Sequence, residues 1–529
     1  MNLWWEGGPL YVFEDRIILF EWKQYTIYSR ELEELSIRGI GDVKPLSVEL
    51  DSDEKLNKFD FSFKNYLGLT ELTFKFKDLP QKSFEALVVS DKIAKIEGLQ
   101  VDTDNLTVDK LSRLIEAFNK FAKKLTDDIS RISSSLNFEI SLPTGFTVEE
   151  SFEPMNELFA YHYLRANQSR ILEAFETVMH KLKRELHVKE EFVEVYRVDE
   201  VTPDTILSIL TSPENLVSAG SDVLIAKRLK GFAPERVLSS TKYETANIPE
   251  NRFVKFFLNL IAEWTQCLID KNVGIDELSG FRSEIECITS SSVWDEIEDM
   301  TVFPYNSHTL LKGDGYRDLL QLFREFTTYS PFFDEWKRAI DNKDIPKLYE
   351  YWCFFKLVEE LKKISGDEYD LKIKVELGRI DESNVYAKFE NGWKLYFNKK
   401  FGKLSYSIPL RPDYSLFAGD KLIGVFDAKF KLEVVELENF ERTEKELEEE
   451  FSYETWARIE DIYKMHTYRD ALQCDFAAVL YPGSKSVFWG VDGEKIENLG
   501  IRDILPDVKK GIGYISFNPM HSITIEQKI

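Results

Sequence analysis

The chain has 529 residues and a formal net charge of −25, from 93 acidic and 68 basic side chains. Hydrophobic residues make up 43% of it and aromatic residues 14%, which excludes a disordered chain and predicts two or three globular domains. Because acidic surfaces repel phosphates, this charge argues against a free-standing DNA-binding protein, unless the acids lie away from the site or another subunit brings the DNA.

The N-terminal region, residues 1–100, is predicted to be a β-rich module. Strand-like patterns run from Leu10 to about Pro80. Phe59–Lys64 and Leu72–Lys77 alternate apolar and polar residues, as half-buried antiparallel strands do. We expect a small β-sandwich or barrel.

Residues 101–340 are predicted to be mainly helical. Thr107 is a good N-cap for a helix reaching about Ile132, and further helices are predicted over Pro154–His187 and Pro249–Ile269. The apolar stripe of the first helix suits core packing or a partner-binding surface. The basic tracts Lys181–Arg184 and Lys227–Lys230 are either solvated surface or phosphate contacts.

Residues 341–529 carry the chemistry, beginning with a helix that starts at Pro346. This helix is apolar on most sides and includes Glu350. A buried carboxylate without a partner costs several kcal/mol, so Glu350 needs an ion pair or a metal-bound water. Strands are predicted over Asp370–Glu376, Val385–Phe389 and Trp393–Phe397.

A β-hairpin follows, and two acids and a lysine cluster at one end of it. Asp413 precedes the first strand, and the apolar second strand ends on Asp427-Ala428-Lys429. Asp427 and Lys429 share one face of their strand because side chains alternate. Two neighbouring carboxylates repel each other unless a divalent cation lies between them, and a lysine beside that cation can orient a water or a phosphate. The pattern suits metal-assisted phosphodiester hydrolysis.

The last predicted elements are a helix over Ala457–Gln473 and a strand over Phe476–Tyr481. The helix carries polar and aromatic side chains, among them Tyr463, His466 and Arg469. They suit either a site-facing surface or packing under the sheet. The acidic segment 433–460 before this helix is a solvated insertion or a lid that keeps DNA out.

Other patterns exclude several classes of protein. The four cysteines are scattered without C-x-x-C spacing, which argues against a zinc site and fits a reducing cytoplasm. No apolar run reaches the about 18 to 20 residues that span a bilayer, and the N-terminus lacks a signal-type segment. No G-x-x-x-x-G-K-[ST] motif occurs, so the chain is not expected to be its own P-loop motor. We expect a cytoplasmic protein without a membrane partner.

The C-terminal motifs resemble the PD-(D/E)XK nuclease core, and more narrowly the nuclease domain of McrC-type subunits of McrBC-like modification-dependent restriction systems. Five blocks match in family order: Leu348–Leu357, Arg411–Tyr414, Phe426–Phe430, Asp461–Ala471 and Val479–Gly483. Tyr243–Lys255 resembles the helical region that precedes the nuclease in this group. The fold class expected is therefore multidomain α+β: a β-rich module, a helical region for partner engagement and an α/β nuclease core.

The resemblance implies a Mg²⁺-dependent DNA endonuclease. Its catalytic residues would be Glu350, Asp413, Asp427 and Lys429, with the three acids as metal residues and the Ala428 carbonyl as a further ligand. Tyr463, His466 and Arg469 would contact DNA or the second shell of the metal.

It also implies a partner, a McrB-like hexameric ring of AAA+ GTPase subunits that recognises modified double-stranded DNA and is stimulated by this chain. Two alternatives remain open. One is a nuclease of a different, ATP-driven defence system, and the other is a non-cleaving regulatory adaptor of an AAA+ ring.

Overall fold

A computed structural model describes residues 3–49, 55–64, 66–77, 80–96, 106–141, 154, 156–198, 200–220, 222–305, 307–366, 372–377, 383–401, 409–430, 453–483, 485–505 and 507–520. The chain forms two compact units. The first combines residues 1–149 with 329–529, and the second comprises residues 150–328.

The N-terminal part of the first unit is rich in strands, as predicted. They are β1 (Leu3–Gly7), β2 (Tyr11–Phe13), β3 (Arg16–Phe20), β4 (Gln24–Ser29), β5 (Leu32–Ile37), β6 (Gly41–Val43), β7 (Leu46–Glu49), β8 (Lys55–Ser62), β9 (Gly68–Phe76) and β10 (Lys82–Val89). They form a sheet of order β1-β4-β8-β7 and a sheet of order β2-β3-β10-β9-β5-β6. In β9 buried residues alternate with more exposed ones, because side chains on a strand point to opposite faces in turn.

A short helix, α1 (Asp91–Ile96), leads to the long helix α2 (Val108–Ser134) and to strand β11 (Asn137–Ser141). The Thr107 side chain caps α2 by accepting a hydrogen bond from Lys110 N, as its position in the sequence predicts. The apolar stripe of α2 is buried, so its role within this unit is core packing. The domain boundary predicted at residue 100 would place α2 in the central region, and in the structure α2 belongs with β11 to the first unit.

The second unit is mainly helical. Its elements are α3 (Glu157–His180), β12 (Glu185–Glu194), α4 (Pro203–Thr211), β13 (Leu216–Ser218), α5 (Leu224–Arg228), β14 (Phe232–Pro234), β15 (Arg236–Thr245), α6 (Pro249–Asp270), α7 (Ile275–Thr289), α8 (His308–Lys312) and α9 (Tyr316–Thr327), with short 3₁₀ turns at Val195–Arg197, Pro213–Asn215 and Ser292–Glu296. The helix predicted to reach His187 ends at His180. The residues beyond Arg184 pair instead with β15, in an antiparallel ribbon of two ten-residue strands.

The C-terminal part of the first unit is built on a large sheet. Its elements are α10 (Pro331–Asp341), α11 (Ile345–Ser365), β16 (Lys372–Leu377), β17 (Ser383–Lys388), β18 (Trp393–Phe397), β19 (Tyr414–Ala418), β20 (Lys421–Ala428), α12 (Tyr453–Leu472), β21 (Phe476–Tyr481), β22 (Val487–Gly490), β23 (Lys495–Glu497), α13 (Ile501–Ile504) and β24 (Gly511–Ser516). The strand order is β11-β16-β17-β18-β19-β20-β21-β24-β22-β23, and β20, β21 and β24 run parallel.

Helices α11 and α12 cover this sheet. Phe354 of α11 lies 5.2 Å from Phe397 and 6.3 Å from Tyr414, measured between ring centroids. Helix α12 packs through Met465 and its neighbours against one face of β20 and β21. Val425, Ala477, Val479 and Tyr481 lie on that face. Burial on both faces explains why β20 and β21 are almost wholly apolar.

The order of regions expected from sequence is confirmed: a strand-rich N-terminal region, a helical middle and a C-terminal α/β core. No helix in the described part of the chain is long and apolar enough to cross a membrane. The acidic segment 433–460 lies outside the described residues as far as residue 452, after which the backbone of α12 begins.

Candidate active site

The β19–β20 hairpin brings Asp413 and Asp427 to the same end of the sheet. The antiparallel register pairs Tyr414 with Phe426. Asp413, just before Tyr414, and Asp427, just after Phe426, therefore lie next to each other beyond this pair. The Ala428 backbone N–H donates to Asp413 Oδ2 at 2.7 Å. The hairpin therefore places two carboxylates together, as the Arg-Pro-Asp and Asp-Ala-Lys motifs predict.

Asp427 is fully buried and lies between two lysines. Its Oδ2 is 2.8 Å from Lys429 Nζ, and its Oδ1 is 3.0 Å from Lys464 Nζ. A buried carboxylate requires such compensation because removal from water penalises its charged form. The sequence identifies Lys429, whereas Lys464 reaches the site from α12.

The backbone position of Lys429 is fixed by a hydrogen bond and by the packing of the next residue. Its backbone N–H donates to Leu480 O at 2.8 Å, which extends the pairing of β20 with β21. The next residue, Phe430, packs edge-on against Phe121 of α2 and Tyr349 of α11, with ring centroids 5.5 and 5.7 Å apart. These contacts fix the direction in which the strand delivers the lysine.

The charges of the site perturb one another. Burial raises the pKa of Asp413 well above its ordinary value, and the Asp427 and Glu350 carboxylates raise it further. Burial alone would lower the pKa of Lys429, but the Asp427 and Asp413 carboxylates raise it above its ordinary value. Without a metal, Lys429 therefore remains a cation at neutral pH, able to donate hydrogen bonds rather than to accept a proton.

Glu350 of α11 lies beside these carboxylates and is ion-paired. Lys347 Nζ lies 2.9 and 3.1 Å from its two carboxylate oxygens, and the Asn398 side-chain amide donates to Oε1 at 2.6 Å. The Tyr414 hydroxyl donates to the backbone carbonyl of Glu350 at 2.6 Å, which ties the helix to the hairpin. The ion pair considered from sequence is present, and the carboxylate also acts electrostatically on Asp413.

Helix α12 presents different residues to the site from those singled out in the sequence. Lys464 reaches Asp427, and Tyr468, one turn later on the same face, is buried and donates its hydroxyl to Arg411 O at 3.2 Å. Tyr463 is 58% exposed and His466 is exposed, while Arg469 pairs with Asp470 at 3.1 Å. The predicted roles of Tyr463, His466 and Arg469 toward DNA or a metal stay predictions.

The donor set suits a hard divalent cation. Mg²⁺ prefers oxygen ligands and keeps several waters, so two carboxylates and a backbone carbonyl are enough. The Asp427 and Glu350 carboxylates help to raise the pKa of Asp413, and a bound divalent cation would offset this repulsion between negative charges. Among the described residues, no group of three or more Asp, Glu, His or Cys side chains is arranged to hold a metal ion, so Glu350 as a third metal residue stays a prediction.

Three residues of the site were not identified from sequence: Lys347, Asn398 and Lys464. Lys347 had a local signal, because it lies three residues before Glu350 on one helix. Lys464 had a weaker one, its i,i+4 spacing to an aromatic residue on an amphipathic helix. Asn398 had none, because its contacts with residues 350 and 413 depend on the folded sheet.

Comparison with known proteins identifies the family of the C-terminal region. Residues 347–486 match the family model described as the PD-(D/E)XK nuclease superfamily, whose members typically use divalent metals. Residues 60–323 match a model described as a domain of unknown function, DUF2357. No curated protein matches the sequence. The predicted PD-(D/E)XK core is thereby confirmed.

One similar solved structure is a refined half-complex from a tetradecameric assembly of Thermococcus gammatolerans McrB AAA+ hexamers with bound McrC. The matching chain is 11% identical, and the match covers 89% of this chain and 80% of that one with a TM-score of 0.24.

Proposed function

Because residues 347–486 are a PD-(D/E)XK nuclease domain, we propose that the chain is the Mg²⁺-dependent DNA endonuclease subunit of a modification-dependent restriction complex. It cuts DNA when coupled to a GTP-hydrolysing AAA+ ring, and it stimulates that ring. The observation that carries the proposal is the pair Asp413 and Asp427 with Lys429 at one end of the buried β19–β20 hairpin.

The chain's own residues have distinct parts in the proposed reaction. Asp413 and Asp427, with the Ala428 carbonyl, would hold the cation, which would supply Lewis-acid activation of a water and positive charge beside the phosphate. Lys429, kept protonated by its carboxylate neighbours, orients the attacking water or a phosphate oxygen as a hydrogen-bond donor. Lys464 holds the other oxygen of Asp427 and fixes its orientation.

The proposal of a motor partner rests on charge and motifs. With a net charge of −25 the chain as a whole repels DNA, so we assign the holding of DNA at the nuclease mainly to a second subunit. The sequence lacks a P-loop, so nucleotide hydrolysis also belongs to that subunit. The five motif blocks shared with McrC-type subunits point to a McrB-like GTPase ring.

One basic tract of the second unit is a candidate phosphate contact. Lys227, Arg228 and Lys230 are exposed, and within the described residues their side chains make no ion pair. The tract Lys181–Arg184 differs, because Lys181 pairs with Asp314 at 3.2 Å and Arg184 lies 3.7 Å from Glu296. Cations left unpaired in so acidic a chain suit an anionic partner, and the partner proposed here is the phosphate backbone of duplex DNA.

The test is reconstitution of the full-length chain with a McrB-like AAA+ GTPase, sought among the products of the neighbouring genes. We expect Mg²⁺-dependent cleavage of methylated duplex DNA with GTP, no cleavage by either protein alone, and a higher GTPase rate in the complex. Cleavage supported by ATP instead of GTP would contradict the proposed motor. Stimulation of the ring without any cleavage, across methylated and unmethylated DNA, would identify an adaptor and contradict the nuclease.

A further inference from the structure

Asn398 joins the two sides of the candidate site. It follows β18, and its backbone N–H donates to Asp413 O at 2.7 Å. Its side-chain amide donates to Glu350 Oε1 at 2.6 Å, and its carbonyl accepts from Arg411 Nε at 3.1 Å. Asn398 thus contacts both Glu350 on α11 and Asp413, which directly precedes β19.

The backbone of Asn398 explains how it reaches α11. Phe397 packs on Phe354 of α11, so a regular strand would turn the next side chain to the opposite face of the sheet. Asn398 instead has φ of 52°, in the left-handed region that asparagine and glycine tolerate better than other residues. This turn ends β18 and brings the amide back to the face that carries Glu350.

The amide has a specific effect on Glu350. The Glu350 side chain is 16% exposed, and both of its carboxylate oxygens accept hydrogen bonds from the Lys347 ammonium. Lys347 also lies 3.6 Å from Glu335, so Glu350 shares this ionic partner with a second carboxylate. The Asn398 amide adds a directional bond to one oxygen, from a residue whose own backbone is tied to Asp413.

We propose that Asn398 is a positioning residue of the nuclease site. It holds the Glu350 carboxylate in a fixed position relative to Asp413, so that the acids from α11 and from the hairpin would be positioned for the same cation. The inference rests on the proposed Mg²⁺-dependent nuclease function. Outer contacts of this kind typically change metal affinity or activity by about 10 to 100-fold when removed.

The first test replaces Asn398 by glycine in the full-length chain. Glycine accepts the left-handed backbone and deletes only the amide. Asn498→Gly is the matched control, because Asn498 also follows a strand with φ of 57° but is exposed and away from the site. Two quantities are measured: the Mg²⁺ concentration for half-maximal cleavage in the complex, and the rise of the thermal unfolding midpoint that Mg²⁺ produces without DNA.

We expect Asn398→Gly to need about tenfold more Mg²⁺ in both measurements, and Asn498→Gly to behave as the wild type. Equal Mg²⁺ requirements of Asn398→Gly and wild type would overturn the inference. If the wild-type complex cuts no DNA, the proposed function fails, while the Mg²⁺-induced midpoint shift still decides the role of Asn398. A wild type without any midpoint shift would overturn the inference as well.

A second pair of variants separates positioning from folding. Asn398→Asp keeps the shape but sets an oxygen against Glu350 Oε1, so the midpoint in EDTA should fall. The other variant combines Asn398→Gly with Glu350→Gln, which removes the charged carboxylate through which Asn398 is proposed to act. We expect this double variant to show the same Mg²⁺ response as Glu350→Gln alone. A further loss of the Mg²⁺ response in the double variant would show that Asn398 does not act through Glu350, and it would overturn the inference.

Discussion

Lys464→Met is expected to destabilise the metal-free protein and to increase its stabilisation by Mg²⁺. Methionine keeps most of the volume of the side chain and removes the ammonium. Within the described part of the chain, Asp427, which is fully buried, would then retain Lys429 as its one ionic partner. A divalent cation can supply the missing positive charge, so the variant should gain more from Mg²⁺ than the wild type does.

The size of the effect follows from the contact. At an effective dielectric constant of about 20, opposite charges 3.0 Å apart attract by about 5.5 kcal/mol. The Lys464 side chain is 39% exposed, and desolvation and side-chain ordering offset most of this attraction. We therefore expect a loss of about 1 to 2 kcal/mol in the free energy of unfolding in EDTA.

The assay is thermal unfolding of the full-length chain with EDTA or with Mg²⁺, and Lys421→Met serves as the matched control. Lys421 Nζ lies 2.6 Å from Asp475 Oδ2, but its side chain is 68% exposed, so this surface pair contributes about 0 to 1 kcal/mol. Lys464→Met should lower the midpoint in EDTA more than Lys421→Met, and Mg²⁺ should restore it. A Lys464→Met midpoint equal to that of the wild type in EDTA, or an unchanged response to Mg²⁺, would refute the reasoning.

Three further predictions concern catalysis, DNA and pH. Glu350→Gln should reduce cleavage in the complex without abolishing it, because the hairpin acids remain; full activity or none would contradict this. The charge reversal Lys227→Glu, Arg228→Glu and Lys230→Glu should weaken the salt dependence of binding to a 25-base-pair duplex. The slope of log K, the association constant, against log salt should become less negative by about 2.7, or about 0.9 for each of three phosphate contacts. An unchanged slope would exclude this tract as a phosphate contact. Burial of His162 in α3, with Arg165 nearby, lowers its pKa to about 3. Its neutral form is therefore required in the folded unit, and the associated stability is full above pH 6.5 and falls by about 2 kcal/mol at pH 5. His162→Leu should flatten this pH dependence of the unfolding free energy, and an identical slope would contradict the assignment.

The sequence predicted those elements whose signals are local. Trp393–Phe397 and Phe476–Tyr481 have the predicted bounds, because both are short, apolar strands with clear ends. Thr107 gave the start of α2 because a cap acts within four residues. The helix predicted to His187 was too long, because its end depends on pairing with β15, some fifty residues later in the chain.

The same distinction holds for the site. Asp413, Asp427 and Lys429 lie at the same end of two neighbouring strands that form a hairpin, so their short spacing already places them together. Lys464 and Asn398 come to the site from α12 and from the end of β18. Their roles depend on which face of a helix meets the sheet and on a left-handed turn, and neither is fixed by residues close in sequence.

The most direct test of the central claim is the Mg²⁺-dependent cleavage rate of the reconstituted complex with Asp427→Asn or Lys429→Met. Both side chains lie at the end of β20, within the site and outside any predicted partner surface. We expect both variants to bind the AAA+ ring and to stimulate its GTPase as the wild type does, and we expect neither to cut DNA. Wild-type cleavage by either variant would contradict the claim that this carboxylate and this lysine form the nuclease centre.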